Sequence, residues 1–402
     1  MNRRNYRKYL NAPAIDLILF LAGMALIFTM ASFPTDWDSC QFVMGMNRFS
    51  PPDHQPHPPG YFFFIEIAKL IRILSPVQIG NFKALLIAGL IGSALVGPAV
   101  RRLTLKLYPG KDNLAIGAAL IAIGAPARLF FGAQGLSYGW ECLFAVLLVS
   151  LALDQKEKDS KIARAAWLGW VATYAIGGGF RPDLLLFFFP LGVILAYKRT
   201  IKENIAAIII FLLLTACWLI PTAISSGGFF RFVESLHGHG SFFLWGGLGL
   251  DRLNDNATAL YHTPAAITGA GILVWIAILV LSYLIVLKSQ KKVLKLSPFA
   301  RMVLIAYAVP LVLFHLFVFY TMRYSLLYVP LLIPLLTGIV WISLEPTNGP
   351  QSANNSAVMR QSLRGFGILV PAIILSISYF AFLNGTGIHS FKRITQLEKE
   401  TR

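Results

Sequence analysis

About eleven stretches of this chain are long and apolar enough to cross a bilayer, and no other feature limits its fold so tightly. They fall near 14–33, 79–100, 113–131, 139–153, 165–180, 184–197, 205–224, 265–287, 299–320, 325–344 and 366–383. A segment in hydrocarbon must satisfy every backbone N–H and C=O internally, and roughly 20 apolar residues do so as an α-helix. The expected fold class is therefore all-α, a polytopic transmembrane helix bundle. Composition agrees: 56% of the 402 residues are hydrophobic and 13% are charged, against roughly 25% charged in soluble domains.

The net charge of +17, from 35 Lys and Arg against 18 Asp and Glu, would suggest nucleic acid in a soluble chain. Here the basic residues cluster in short loops between apolar runs, so the charge reads as topology, and no nucleic-acid partner is expected. With a cytoplasmic N-terminus, that terminus, Arg301 and the loops 101–112, 154–164, 198–204, 288–298 and 345–364 hold 22 of the 35 basic residues. The run 61–74 is then an interfacial helix. Glu66, Lys69 and Arg72 recur every three residues along it, and if it crossed, every later basic loop would face outward.

A basic Met1–Lys8 with no persuasive cleavage site after the first run predicts a retained first span. The expected organisation is a bundle over 1–344 with a first outer loop at 34–78 and a long outer loop at 225–264. An Asn/Ser-rich cytoplasmic linker follows at 345–364, and a last span with an outer tail occupies 365–402. Cys40, Cys142 and Cys217 match no metal or redox spacing, so neither zinc nor a structural disulfide is expected.

The densest set of chemically useful residues is Thr35-Asp36-Trp37-Asp38-Ser39-Cys40-Gln41-Phe42, followed by His54-Gln55-Pro56-His57-Pro58-Pro59-Gly60-Tyr61. Asp36 and Asp38 point the same way on an extended backbone and about 200° apart on a helix, so local conformation decides whether they act together. The prolines stiffen the loop, and Gly60 permits a tight turn into the interfacial helix. Such a loop could floor an active site or be a solvated acidic loop before a helix.

These motifs, in this order after a basic N-terminus and a first span, resemble the C-type glycosyltransferase superfamily. The nearest branch is that of the protein O-mannosyltransferases and lipid A aminoarabinose transferases. The resemblance implies a membrane glycosyltransferase that moves a sugar from a polyprenyl-phosphate donor to an acceptor hydroxyl on the outer face, with inversion. Its partners would be that donor, a lipid, glycan or protein acceptor, and membrane lipids. Asp38, after Trp37, matches the catalytic acid of the first outer loop. Ser39 stands where many members carry a second acid, a role that Asp36 could take. Glu141, in Gln134-Gly135-Leu136-Ser137-Tyr138-Gly139-Trp140-Glu141, corresponds to an acid of the second outer loop. Some relatives use a divalent metal, which Asp38 would hold with Asp36 or Glu141; no other cofactor is implied.

Three further pieces bear on substrate binding. His57 and Tyr61 belong to the loop motif. Gly177-Gly178-Gly179-Phe180-Arg181-Pro182-Asp183 reads as an outer turn where glycines admit a ligand and Arg181 offers a fork of donors to phosphate, beside Asp183. The same Arg181 and Asp183 could simply pair with each other. Arg323-Tyr324 is similar to an Arg-Tyr near the lipid-phosphate site of relatives, and Arg128, Arg231 and Arg252 are further outer cations. His237 and His239 read as ordinary loop residues. Against this stands a transporter or flippase for a lipid-linked or anionic solute, which the span count alone would suit. No inverted repeat is evident, and the acids lie in an outer loop and not at midplane. The compact chain fits a bacterial cytoplasmic membrane.

Overall fold

The computed structural model describes residues 12–28, 37–125, 131–155 and 160–244, with isolated positions 302, 305–306, 330–331, 333–334 and 337–338. The expected spans from 265 to 383, the linker and the tail otherwise lie outside the described residues. Ten α-helices cover the described part: α1 Pro13–Phe28, α2 Trp37–Asn47, α3 Phe62–Leu74, α4 Asn81–Leu107, α5 Asp112–Gly124, α6 Tyr138–Asp154, α7 Ser160–Phe180, α8 Asp183–Ala196, α9 Ile201–Ser225 and α10 Phe229–Leu244. No strand occurs among the described residues, where one antiparallel bridge, Ser50 with Gln55, stands alone.

Helices α4 and α9 are the two described helices of membrane-spanning length and apolarity, and α1, α5 and α8 are apolar but shorter. They differ in burial. α4 is central, with Leu85, Ala88, Leu90, Val96, Val100 and Leu103 fully enclosed. α9 leaves Ile208, Ile209, Leu212, Leu213, Ile220 and Ile224 exposed, the last at 72%. An apolar stripe on a helix of this length suits contact with lipid. α9 begins with a capping box in which Thr200 Oγ1 accepts from the Glu203 N–H and the Glu203 carboxylate accepts from the Thr200 N–H.

Contacts fix the directions of α1, α4, α6, α7 and α8 relative to one another. Gly23 lies against Ala94 while Asp16 pairs with Arg101, so α1 and α4 are antiparallel. The chain between them leaves and returns at one end of the bundle, so α3 does not cross it. Gly139 on Ser93 at one end and Lys106 on Asp154 at the other make α4 and α6 parallel. α5, whose Ile123 fills the place a side chain on Gly97 would take, runs back between them in the chain. Phe144 on Gly177 and Leu151 on Gly169 set α7 antiparallel to α6, and Gly192 on Trp170 sets α8 antiparallel to α7. The close approaches use small residues, as helix packing in lipid favours.

One end thus gathers Asp16, Arg101, Lys106, Asp154 and the Gln155–Arg199 hydrogen bond, all from or beside segments whose charge reads as cytoplasmic. Three local expectations change. Residues 101–107 are helical, not loop: Arg101 is wholly buried because Asp16, 85 positions away, takes its charge, and Arg102 pairs with the other Asp16 oxygen. Gly177–Gly179 form the last turn of α7 and not an open turn. A Cβ on Gly178 would come 2.9 Å from Leu185, and one on Gly179 would run into Phe63, so these glycines serve helix packing. The segment read as an outer loop at 225–264 contains the amphipathic α10.

Candidate active site

At the other end, the first-loop residues build a compact wall. Asp38 sits in the first turn of α2, where the helix dipole favours a carboxylate. Its neighbour Ser39 is buried and donates to the Gln134 carbonyl at 2.6 Å, tying α2 to the segment that leads into α6. Gly45 admits Pro56, which would lie 2.7 Å from a Cβ there. The loop folds back through a 3-10 turn at Pro51–Asp53, and Asp53 accepts hydrogen bonds from Ser50 Oγ at 2.8 Å and Arg48 at 2.9 Å. Gln55–Pro56 and Pro58–Pro59 are cis. The loop closes on Gly60 at φ 105° and Tyr61 at φ 50°, a reversal that turns Tyr61 inward at the head of α3.

This path brings His57 to Asp38. His57 Nδ1 lies 3.8 Å from Asp38 Oδ1, and Nε2 lies 3.1 Å from the Tyr61 hydroxyl. Phe42 stacks on the imidazole at 5.6 Å. From α10, His239 stacks on His57 at 5.3 Å and meets His54 edge-on at 5.7 Å. Burial lowers the His239 pKa, with His54 adding to the effect and Asp38 opposing it.

Beneath Tyr61 lies a second set of charges. Arg181, between α7 and α8, donates its Nε–H to Asp183 Oδ2 at 3.1 Å, and the same nitrogen lies 3.0 Å from Glu141 Oε2 as an ion pair. Glu141 is in the first turn of α6 and Asp183 opens α8, so both carboxylates stand at helix N-termini. The guanidinium carbon lies 4.2 Å from the centre of the Tyr138 ring and 5.6 Å from that of Tyr61. Arg181 is 5% exposed and Glu141 3%. An isolated ion at such depth would cost several kcal/mol, which pairing offsets. Burial alone would draw the Arg181 pKa down, but Asp183 and Glu141 more than reverse this. Burial pushes the Tyr61 hydroxyl well above its ordinary value, with Arg181 opposing.

Of the residues singled out from sequence, Asp38, His57, Tyr61, Glu141, Arg181 and Asp183 therefore meet at one end, with Tyr61 touching both sets. Asp36, Arg323 and Tyr324 lie outside the described residues, as do Arg128 and Arg252, while Arg231 is exposed on α10. Sequence reasoning read His239 as an ordinary loop residue, whereas it lies on α10 against His57, and gave Tyr138 no role. The apolar spacing of Phe229, Phe232 and Val233 could have marked α10 as a helix, but Gly238 and Gly240 obscure it. Among the described residues no three His, Cys, Asp or Glu side chains converge as a metal centre requires. Asp36, one of the ligands expected beside Asp38, lies outside the described residues.

No family model matches the sequence, and no curated protein sequence matches it. Solved structures do resemble it. ArnT from Cupriavidus metallidurans, bound to undecaprenyl phosphate, is 14% identical and superposes with a TM-score of 0.60 over 92% of this chain and 74% of that one. The same protein in its apo state gives 15% identity and a TM-score of 0.54, over 91% of this chain and 75% of that one. At this identity the likeness speaks for architecture, and the architecture agrees with the resemblance carried by the first-loop motifs: this chain has the fold of the C-type glycosyltransferases.

Proposed function

We propose that this protein is a membrane glycosyltransferase that takes a sugar from a polyprenyl-phosphate donor and delivers it to an acceptor hydroxyl at the outer face of a bacterial cytoplasmic membrane. The observation that carries the reading is the meeting, at one end of an ArnT-like bundle, of a helix-head carboxylate, Asp38, with the buried Arg181 cluster. A polyprenyl phosphate leaves as a stable anion and needs no strong acid. The protein must align the acceptor, remove its proton and face the departing charge with cations.

Asp38 is the base. Both carboxylates lie against Arg181 Nε, and the terminal nitrogens of its fork are proposed to take the donor phosphate. In-line displacement inverts the anomeric carbon. The fold likeness to a protein crystallised with undecaprenyl phosphate supports that class of carrier. Arg323 and Tyr324 are proposed to join the phosphate site, and Asp36 to assist Asp38. The test is a donor screen: radiolabelled polyprenyl-phosphate sugars presented to the purified protein in proteoliposomes. Consumption of one donor, abolished in Asp38→Asn, is the expected result. Movement of an intact lipid or solute without donor cleavage would mark a transporter instead.

A further inference from the structure

Tyr61 holds a backbone conformation, φ 50° and ψ 44°, that bulky L-residues rarely adopt. Strain of this kind persists only where surrounding structure enforces it, and it clusters at functional sites. Here it aims one side chain. The ring is 7% exposed, packs 4.9 Å from Phe42, faces Arg181 on one side and places its hydroxyl 3.1 Å from His57 Nε2.

His57 is held in turn by Phe42 and His239, and its Nδ1 faces Asp38 at 3.8 Å. Among the described residues, the polar groups facing this imidazole include Asp38 from α2, Tyr61 at the head of α3 and His239 from α10, with His54 behind His239. A carboxylate calls for a donor, so the single proton of a neutral His57 belongs on Nδ1. Nε2 is then an acceptor, and the hydroxyl 3.1 Å away must donate. Burial keeps that hydroxyl protonated.

We propose that Tyr61 and His57 are positioning residues for Asp38: the Tyr61 hydroxyl donates to His57 Nε2, fixing the Nδ1–H tautomer and aiming that N–H at the Asp38 carboxylate. The inference rests on Asp38 being the base. Orientation of a reacting group through a histidine whose other nitrogen is engaged is a general device, and such contacts tighten when substrate binds. Tyr61 and His57 therefore act through Asp38 and not on the donor.

The tautomer can be read directly. In protein carrying isotope-labelled histidine, the His57 nitrogen resonances, identified by their loss in His57→Asn, should report a neutral ring protonated at Nδ1, and Tyr61→Phe should convert it to a mixture. In transfer assays Tyr61→Phe should lower kcat about tenfold while KM for donor stays within about twofold. The amide of His57→Asn overlays Nδ1 and can serve Asp38 without Tyr61, so adding Tyr61→Phe to it should cost no more than about twofold. His57→Gln, whose amide overlays Nε2, should be the poorer enzyme. An Nε2-protonated His57, a tautomer indifferent to Tyr61→Phe, or fully additive losses overturn the proposal even if Asp38→Asn is inactive. Normal transfer by Asp38→Asn beside an Nδ1-protonated His57 instead sinks the base assignment, and the catalytic use of the pair with it.

Discussion

Two buried charge clusters sit at opposite ends of the bundle and differ in the sign of their excess. Among the described residues, one carboxylate, Asp16, pairs with Arg101 and Arg102 at one end, and one guanidinium, Arg181, pairs with Glu141 and Asp183 at the other. The first joins two antiparallel helices. The second is roofed by Tyr138 and Tyr61, and through Tyr61 it adjoins His57 and Asp38. Both are built on short ion pairs, so pairing alone does not distinguish a pin from a site. The distinction lies in the surroundings: Arg102 is half exposed, whereas the Arg181 guanidinium is buried against the Tyr61 and Tyr138 rings.

The comparison breaks most visibly at Asp38. General-base catalysis is worth about 10²- to 10⁴-fold, so Asp38→Asn should lose at least about a hundredfold in turnover while melting like the parent, and Asp36→Asn should lose less. Near-normal transfer by Asp38→Asn would move the base elsewhere. At the other end Asp16→Asn leaves the buried Arg101 without its carboxylate, a loss of about 3–5 kcal/mol. That should appear as a lower unfolding temperature and poor yield, with unchanged turnover per folded molecule. A specific fall in kcat would contradict the purely structural role given to that end.

Glu141→Gln removes one of two carboxylates and leaves Arg181 paired with Asp183. Stability should shift by about 1 kcal/mol or less, and turnover by about tenfold. Destabilisation as large as that of Asp16→Asn would make the two clusters equivalent. Arg181→Lys keeps the charge and loses the planar fork, so KM for donor should rise about fivefold with a smaller change in kcat. Unaltered donor kinetics would confine Arg181 to packing.

The smallest effect concerns α10. His239 is held below its ordinary pKa by burial and by His54, so folding favours its neutral form. Its contribution is present above the ordinary histidine value and is lost as pH falls through the lowered one. Acidification toward about pH 5 should therefore speed hydrogen exchange in α10, and His239→Gln should remove that dependence. Equal exchange in both proteins at both pH values would detach α10 from the histidine pair.

How much of this the chain announces depends on range. Runs such as 79–100 and 205–224 reappear inside α4 and α9 because twenty apolar residues have one solution in lipid, and the charge of Lys106 and Arg199 already sorts the loops. The head of α2 was undecided, since Asp36 and Asp38 fit helix or strand until Ser39 finds Gln134, 95 positions away. Arg101 looked like the first residue of a loop because nothing nearby answers it. The glycines before Arg181 looked like a turn because composition does not show that Phe63 and Leu185 press against them. Partners distant in sequence decided each of these, and a single sequence records them only as unexplained charges or missing side chains.

Those distances also set a timetable. Ribosomes add about 5–20 residues per second, so Asp16 exists for several seconds before Arg101, 85 positions later, is made. Until then Asp16, in the first turn of α1, lacks the partner it has in the folded protein, and the seat of Gly23 on Ala94 also waits for α4. The packing of this first segment is thus completed only after the whole first-loop wall has been synthesised between the two helices.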